Sequence, residues 1–459
     1  MAGLDRAGLR YLQSCYDQAG SQLIVLYGQR HTGMEDLLRV FCQGRAAYFY
    51  RARTCSEREQ VFQWANELRE EGASLPAFPL FAQLLQAVRL ITQQIALSGK
   101  KIVIIGEFQN IVKQSQDFMP SLIAFLKEAE QSGSVMALLV SHAPGWVENG
   151  MVRKLGADAR GITGFLKLKE QSFFEMVRGF PERDRSRQVE YYGVLGGFPG
   201  LWKYFDRELS VRENICRHIL NPDSFLHGEA ARLVGGELRE PGIYDTILSA
   251  LACGRDKLND LYLHTGFSRA KISVYLNHLM ELEFVEKVSS FETEGRSNAR
   301  KGVYRIRHPF VCFYFRYLYP HLSRPGTMAE PEFYERYIAS DFRRHTARAF
   351  VRICREYMEY LNRIRQLPFD CIRMGEWAGK AGDIDIVAMD RAGHTIIGLC
   401  SWEKPVMPYE DYEWLLFCAR KARIPAEHIY LFSAEGFDTM LMREAGAHSN
   451  VHLTDLASF

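Results

Sequence analysis

Apolar runs at Gln22–Tyr27, Lys101–Ile105 and Ser134–Val140, with a shorter one at Arg45–Tyr50, have the length of strands and lack the alternation of a half-exposed sheet. Strands apolar on both faces belong to a parallel sheet covered by helices on either side. Helical periodicity fills the intervals, at Tyr11–Gln18, Asp36–Cys42, Glu57–Arg69 and Ala77–Ser98. This alternation predicts a parallel α/β domain over roughly the first 165 residues.

From Glu170 to about Glu240 the strand signal stops and helical periodicity dominates, broken by the turn Leu195-Gly196-Gly197-Phe198-Pro199. Tyr244 to Val288 then shows helix, a turn at Gly266 and a second helix. Val285–Phe291, a polar loop from Glu292 to Gly302, and Val303–Ile306 follow, in the order of a winged helix-turn-helix. Pro320, Pro325 and Pro331 mark a junction. Beyond it lie a helical stretch, Phe333–Arg365, and an α/β tail with strands at Asp383–Met389, Thr395–Cys400 and His428–Phe432. The chain therefore divides into four parts, at 1–168, 169–240, 241–325 and 326–459.

Composition narrows the classes. A chain of 459 residues suits about three domains, and 47% hydrophobic with 24% charged residues excludes disordered, collagen-like and rod-like chains. The 57 Lys+Arg against 55 Asp+Glu leave a net charge of +2, too little for a global field toward nucleic acid or membrane, so any polyanion site is local. No apolar stretch approaches the roughly 20 residues of a membrane span. The N-terminus lacks a secretory apolar region, and the ten Cys form no CxxC pair or metal-spaced cluster. A cytoplasmic protein with free thiols, no metal centre and no membrane contact is expected.

The segment with chemistry is Gly28-Gln29-Arg30-His31-Thr32-Gly33-Met34-Glu35, after the first strand and at the start of a helix. A phosphate-binding loop, GxxxxGK[ST], needs backbone N–H groups, a Lys for the terminal phosphates and a hydroxyl for magnesium. Gly28 and Gly33 have the spacing, but Met34 stands at the Lys position and Glu35 at the hydroxyl position. A thioether removes the point charge and a carboxylate repels phosphates. The third strand ends in Gly106-Glu107-Phe108-Gln109, so Gly106 replaces the metal-holding acid while Glu107 keeps the place of a water-polarising carboxylate. ATP is the expected ligand, held by loop amides; Mg2+ is not supported. Two alternatives stay open: a plain strand-to-helix turn with an ion-paired Glu107, or an active site in which Arg30 or Arg39 replaces the Lys.

These residues, the tract Leu23-Ile24-Val25-Leu26-Tyr27-Gly28, Ser141 at the fourth strand end, Gly196-Gly197-Phe198-Pro199 and Gly302-Val303-Tyr304-Arg305-Ile306-Arg307-His308-Pro309-Phe310 resemble the archaeal-type ATPase family of AAA+/STAND P-loop ATPases. The resemblance implies a P-loop sheet, a helical lid and a winged helix. It also implies a C-terminal restriction-endonuclease-like domain of the DUF234 type. Members usually carry Gly-Lys-Thr and Asp-Glu, so the departures here imply a hydrolysis-weak pseudo-ATPase acting as a regulatory or DNA-associated module. The alternatives are an active signalling ATPase and a DNA-binding regulator without a nucleotide role.

In the winged-helix segment, Ile272, Leu276 and Leu279 form an apolar face, so Arg269, Lys271 and His278 point outward. With Arg296, Arg300, Lys301 and Arg305 of the wing they make a patch for double-stranded DNA. Glu281, Glu283, Glu286, Glu292 and Glu294 dilute it, and a protein-docking face is the alternative. In the tail, Asp385 matches the nuclease acid, but Leu399 and Ser401 stand where Glu and Lys would be, so metal-dependent cleavage is not expected.

Overall fold

The structure, a computed structural model, describes residues 3–131, 133–179, 184–235, 240–291, 302–379, 382–404 and 406–459. Helix α1 (Arg6–Asp17), capped by the Asp5 carboxylate accepting from the Gly8 N–H at 2.8 Å, leads into β1 (Gln22–Gly28), buried along its length except at Tyr27. Then come α2 (Met34–Cys42), β2 (Ala47–Arg51), α3 (Glu57–Glu70), α4 (Phe81–Gln94), β3 (Lys101–Gly106), α5 (Phe118–Ala129), β4 (Val135–Ser141) and β5 (Gly164–Leu168). All neighbouring strands are parallel, in the order β2-β3-β4-β1-β5. This is the expected parallel α/β sheet, with helices between its strands. Four strands stood out in the hydrophobic pattern. The fifth, β5, is a half-exposed edge strand with Lys167 in it, and so carries no apolar run.

The next segment is helical, with α6 (Arg185–Leu195) and α7 (Glu229–Gly235). The turn after α6 demands glycine: a Cβ on Gly197 would stand 1.9 Å from the Gln171 carbonyl oxygen. Helices α8 (Pro241–Ala252), α9 (Leu258–Thr265) and α10 (Arg269–Glu281) precede an antiparallel hairpin, β6 (Val285–Ser289) and β7 (Gly302–Ile306). Gly266, at φ 71, ends α9, and Ser268 caps α10 by accepting from the Lys271 N–H.

The predicted inner face of α10, Ile272, Leu276 and Leu279, is fully buried. His278 differs from the expectation. It turns inward, its Nδ1 2.6 Å from the Tyr244 hydroxyl, because α8 packs beside it. Arg296, Arg300 and Lys301 lie outside the described residues.

A long helix, α11 (Ala339–Arg363), introduces the second sheet: β8 (Arg373–Ala378), β9 (Asp383–Met389), β10 (Thr395–Ser401), β11 (His428–Ser433) and β12 (Val451–Asp455). Helix α12 (Tyr409–Ala422) follows β10 and α13 (Thr439–Ala447) follows β11. The strand order is β12-β11-β10-β9-β8, antiparallel among β8, β9 and β10 and parallel from β10 to β12. Edge strands β8 and β12, partly exposed, were not in the hydrophobic pattern. Among the described residues no helix is long and apolar enough to cross a membrane.

Candidate functional site

The loop between β1 and α2 opens at the carboxyl edge of the sheet, beside the point where the strand order reverses, which is where α/β sheets bind ligands. His31, at φ 66, and Gly33, at φ 90, wrap the chain around the start of α2. The Thr32 hydroxyl donates to the Gln29 carbonyl at 2.8 Å and braces the turn. Met34 does more than lack a charge: it is 3% exposed and packed with Leu12, Ile24 and Phe41 in the core under the loop. A side chain at this position leaves the phosphate side altogether. Exposed Glu35 and half-exposed Asp36 occupy the first turn of α2 and complement its dipole in place of an anionic ligand.

Glu107 sits just past β3 at φ 52, with the residue 6% exposed. His142 Nδ1 at 2.8 Å and Gln109 Nε2 at 2.8 Å bond its carboxylate, and guanidinium nitrogens of Arg30 and Arg51 stand at 3.7 and 3.6 Å. Burial alone would raise its pKa, but the His142 and Gln109 hydrogen bonds and the Arg30 charge outweigh it and hold the group down at about 2. A carboxylate stabilised in its ionised form by these partners is a weaker base toward water than an ordinary glutamate. With Gly106 at the acid position and Glu35 turned to solvent, the donors present do not fit a magnesium ion. Arg39, the other conceivable stand-in for Lys, is 70% exposed and pairs with Asp36 at 2.5 Å instead.

Two side chains of the loop reach the rest of the chain. His31 Nε2 lies 2.7 Å from Glu229 at the start of α7, and Gln29 donates to the Leu282 carbonyl just past α10 at 2.9 Å. The His31 carbonyl also accepts from the Gly200 N–H at 2.9 Å, in the segment after Gly196-Gly197-Phe198-Pro199. The cavity left beside the loop, lined by Gln29, Thr32, Lys167, Lys169, Glu283 and Arg307 among others, is about 160 Å³. Drug-sized ligands take roughly 300–1,000 Å³. The loop is closed over by the segments that follow the sheet.

In the second sheet, Asp385 on β9 accepts from the Cys400 N–H at 2.9 Å, and burial, helped by Glu376 and Asp383, raises its pKa to about 6. Neighbouring Glu376 is held by Arg305 at 2.6 Å and Arg355 at 3.0 Å, so guanidinium groups stand on the acid a metal would share. Leu399 packs partly into the core and Ser401 is buried, so neither adds a charged ligand. Among the described residues no cluster of three or more His, Cys, Asp or Glu is placed to hold a metal ion.

Residues 314–412, from the aromatic stretch through α11 and into α12, match the family DUF234, described as "Archaea bacterial proteins of unknown function". A relative, the uncharacterized protein MJECL04 of Methanocaldococcus jannaschii, is 26% identical over 396 residues, covering 83% of each chain. Among solved structures, the Walker-type ATPase PABY2304 of Pyrococcus abyssi is 14% identical, covering 69% of this chain and 98% of its own, with a TM-score of 0.48. The Aeropyrum pernix ORC2 protein, in ADPNP and ADP complexes, is 15% identical over 68% of this chain and 91% of its own, with a TM-score of 0.43. The matched residues contain Asp385 and the whole of α11.

The structure brings Gly28, Gln29, Arg30, His31, Thr32, Gly33 and Glu107 to one edge of the first sheet, and separates Met34 and Glu35 from them. Arg269 and Lys271 are exposed on α10, but Arg269 is engaged by Asn259 at 2.6 Å and lies over the Tyr262 ring. Arg305 turns from the hairpin to Glu376 rather than joining an outward patch. Arg51 was missed: a single exposed Arg at a strand end carries no sequence signal until the strand order sets it beside Glu107.

Proposed function

We propose that this chain is a regulatory ATP-binding protein of the AAA+/STAND type that hydrolyses ATP weakly or not at all and works as a DNA-associated module. The observation that carries this reading is the state of Glu107, bonded to His142 and Gln109 between Arg30 and Arg51, with Met34 and Glu35 at the Lys and hydroxyl positions of the glycine loop. Backbone N–H groups between Gly28 and Gly33 supply phosphate donors, and nucleotide entry requires the His31–Glu229 and Gln29–Leu282 contacts to open. Exposed Lys271 and Arg269 on α10 support duplex contact. A second reading, an active ATPase, has one observation in its favour: Arg30 and Arg51 put two half-exposed guanidiniums at the edge where the Lys charge is missing.

Titration with labelled ATP, with and without Mg2+, separates them. The expected result is weak binding that Mg2+ does not strengthen and no phosphate release above background, unchanged in Glu107→Gln. Mg2+-dependent turnover that collapses in Glu107→Gln would establish the second reading, and no binding at any concentration would remove nucleotide from the function.

A further inference from the structure

A cavity of about 660 Å³, much larger than the one beside the glycine loop, runs along α11 between the β6–β7 hairpin and the β8–β9 edge of the second sheet. Its floor is a row of arginines. Arg344, Arg348, Arg352 and Arg355, spaced by four, four and three residues, share one face of α11. A rise of 1.5 Å per residue sets successive members roughly 4.5–6 Å apart along the axis.

Arg344 and Arg348 are exposed and form no ion pair among the described residues. Deeper in, Arg355 from α11 and Arg305 from β7 each hold one oxygen of Glu376, two positive charges on one negative. The Nε atoms of both guanidiniums are buried without an acceptor. A buried N–H without a partner is a cost the fold seldom bears, and it marks this end of the cavity as short of acceptors.

The carboxylates around the cavity are largely committed. Glu170 is held by Arg307 and Arg352, Glu356 by Arg352, and Asp385 takes the Cys400 N–H. Glu286 stands opposite Arg305 in the hairpin register, Asp383 opens β9, and Glu359 lies one turn past Arg355. The surplus of positive charge therefore falls at the Arg344–Arg348 end, with the unfilled donors at Arg305 and Arg355.

We propose that this cleft binds a single strand of nucleic acid by its phosphodiester backbone. Arg344 and Arg348, one helical turn apart and without an acidic partner among the described residues, suit successive phosphates of one strand better than one isolated anion, and each can take phosphate oxygens in a bidentate grip. The cavity is too small for a duplex, whose major groove alone is about 12 Å wide. No bond is made or broken, and the site is separate from α10 and independent of the nucleotide reading.

The test is anisotropy of a labelled oligothymidylate with the full-length protein in Mg2+-free buffer, across a series of salt concentrations. Arg344→Ala/Arg348→Ala is expected to lower affinity at about 50 mM salt at least tenfold, and to flatten the slope of log K against log salt by about 1.4, since each lost single-strand phosphate contact is worth roughly 0.7. Arg344→Lys/Arg348→Lys should keep the slope, and Arg269→Ala/Lys271→Ala, the variant of the proposed duplex contact, should not reproduce the flattened slope. Both arginines are exposed, so unfolding of the double variant is not expected, and its melting curve checks this. No binding by the wild type, an unchanged slope in the alanine variant, dependence on Arg269 and Lys271 instead, or equal competition by thymidine monophosphate would each overturn the proposal.

Discussion

A single methionine shows how much a side chain's direction decides. Met34 at the Lys position joins the core with Leu12 and Phe41, so restoring phosphate chemistry takes more than restoring a charge. Asp385 is the opposite case, an acid kept where its ionised form is disfavoured. Its folded pKa, about 6, lies above the ordinary aspartate range, so its contribution to stability is full below the unfolded pKa and is lost as pH rises through about 6. Asp385→Asn keeps an oxygen for the Cys400 N–H and cannot ionise. It is expected to stabilise the fold at pH 7.5 by on the order of 2–3 kcal/mol at most, read as a higher melting temperature, and to change little at pH 4.5. Equal shifts in melting curves at both pH values would refute the desolvation account.

At the scale of elements, the hairpin of β6 and β7 does structural duty. Phe291, just past β6, is 3% exposed within the core of the second sheet; its N–H donates to the Glu376 carbonyl at 2.7 Å and Arg373 lies over its ring. The hairpin base is thus bolted to β8. Phe291→Ala should cost about 3–5 kcal/mol locally, appearing in hydrogen exchange as lost protection of β8 and β9 amides while β1 and β4 stay protected. Uniform protection throughout would show that the ring anchors nothing. The half-exposed edge strands β5, β8 and β12 escaped the hydrophobic pattern for one reason: an edge strand with one wet face has no continuous apolar run, and its place depends on which neighbour it meets.

The whole molecule is tied by a relay of charges. Glu148, Lys167, Glu283, Arg307, Glu170, Arg352 and Glu356 alternate in sign, with successive separations of 2.8, 2.5, 3.9, 3.0, 3.0 and 3.3 Å. It starts at Glu148 between β4 and β5, runs through Lys167 of β5, passes the end of α10 and the stretch before α6, and finishes on α11. Glu283, at φ 60 and 17% exposed, is the link between Lys167 and Arg307. Glu283→Gln removes the anion and leaves two cations facing a neutral amide, an expected loss of about 3 kcal/mol read as a lower denaturant midpoint. An unchanged midpoint would mean that water already separates the pair.

By itself the sequence determined the parallel sheet, the order of the parts along the chain, the glycine loop and its missing Lys and hydroxyl. Those are properties of local pattern: uninterrupted apolar runs, fixed spacing, the residue type at a motif position. Only the tertiary structure decided that Glu107 is gripped by Arg30, Arg51 and His142, that His31 and Gln29 close the loop, and that four arginines of α11 face a cleft completed by the hairpin and the second sheet. Those partners are far apart in the chain, and long-range Coulomb and hydrogen-bond partners follow from strand order and packing, which no local window contains.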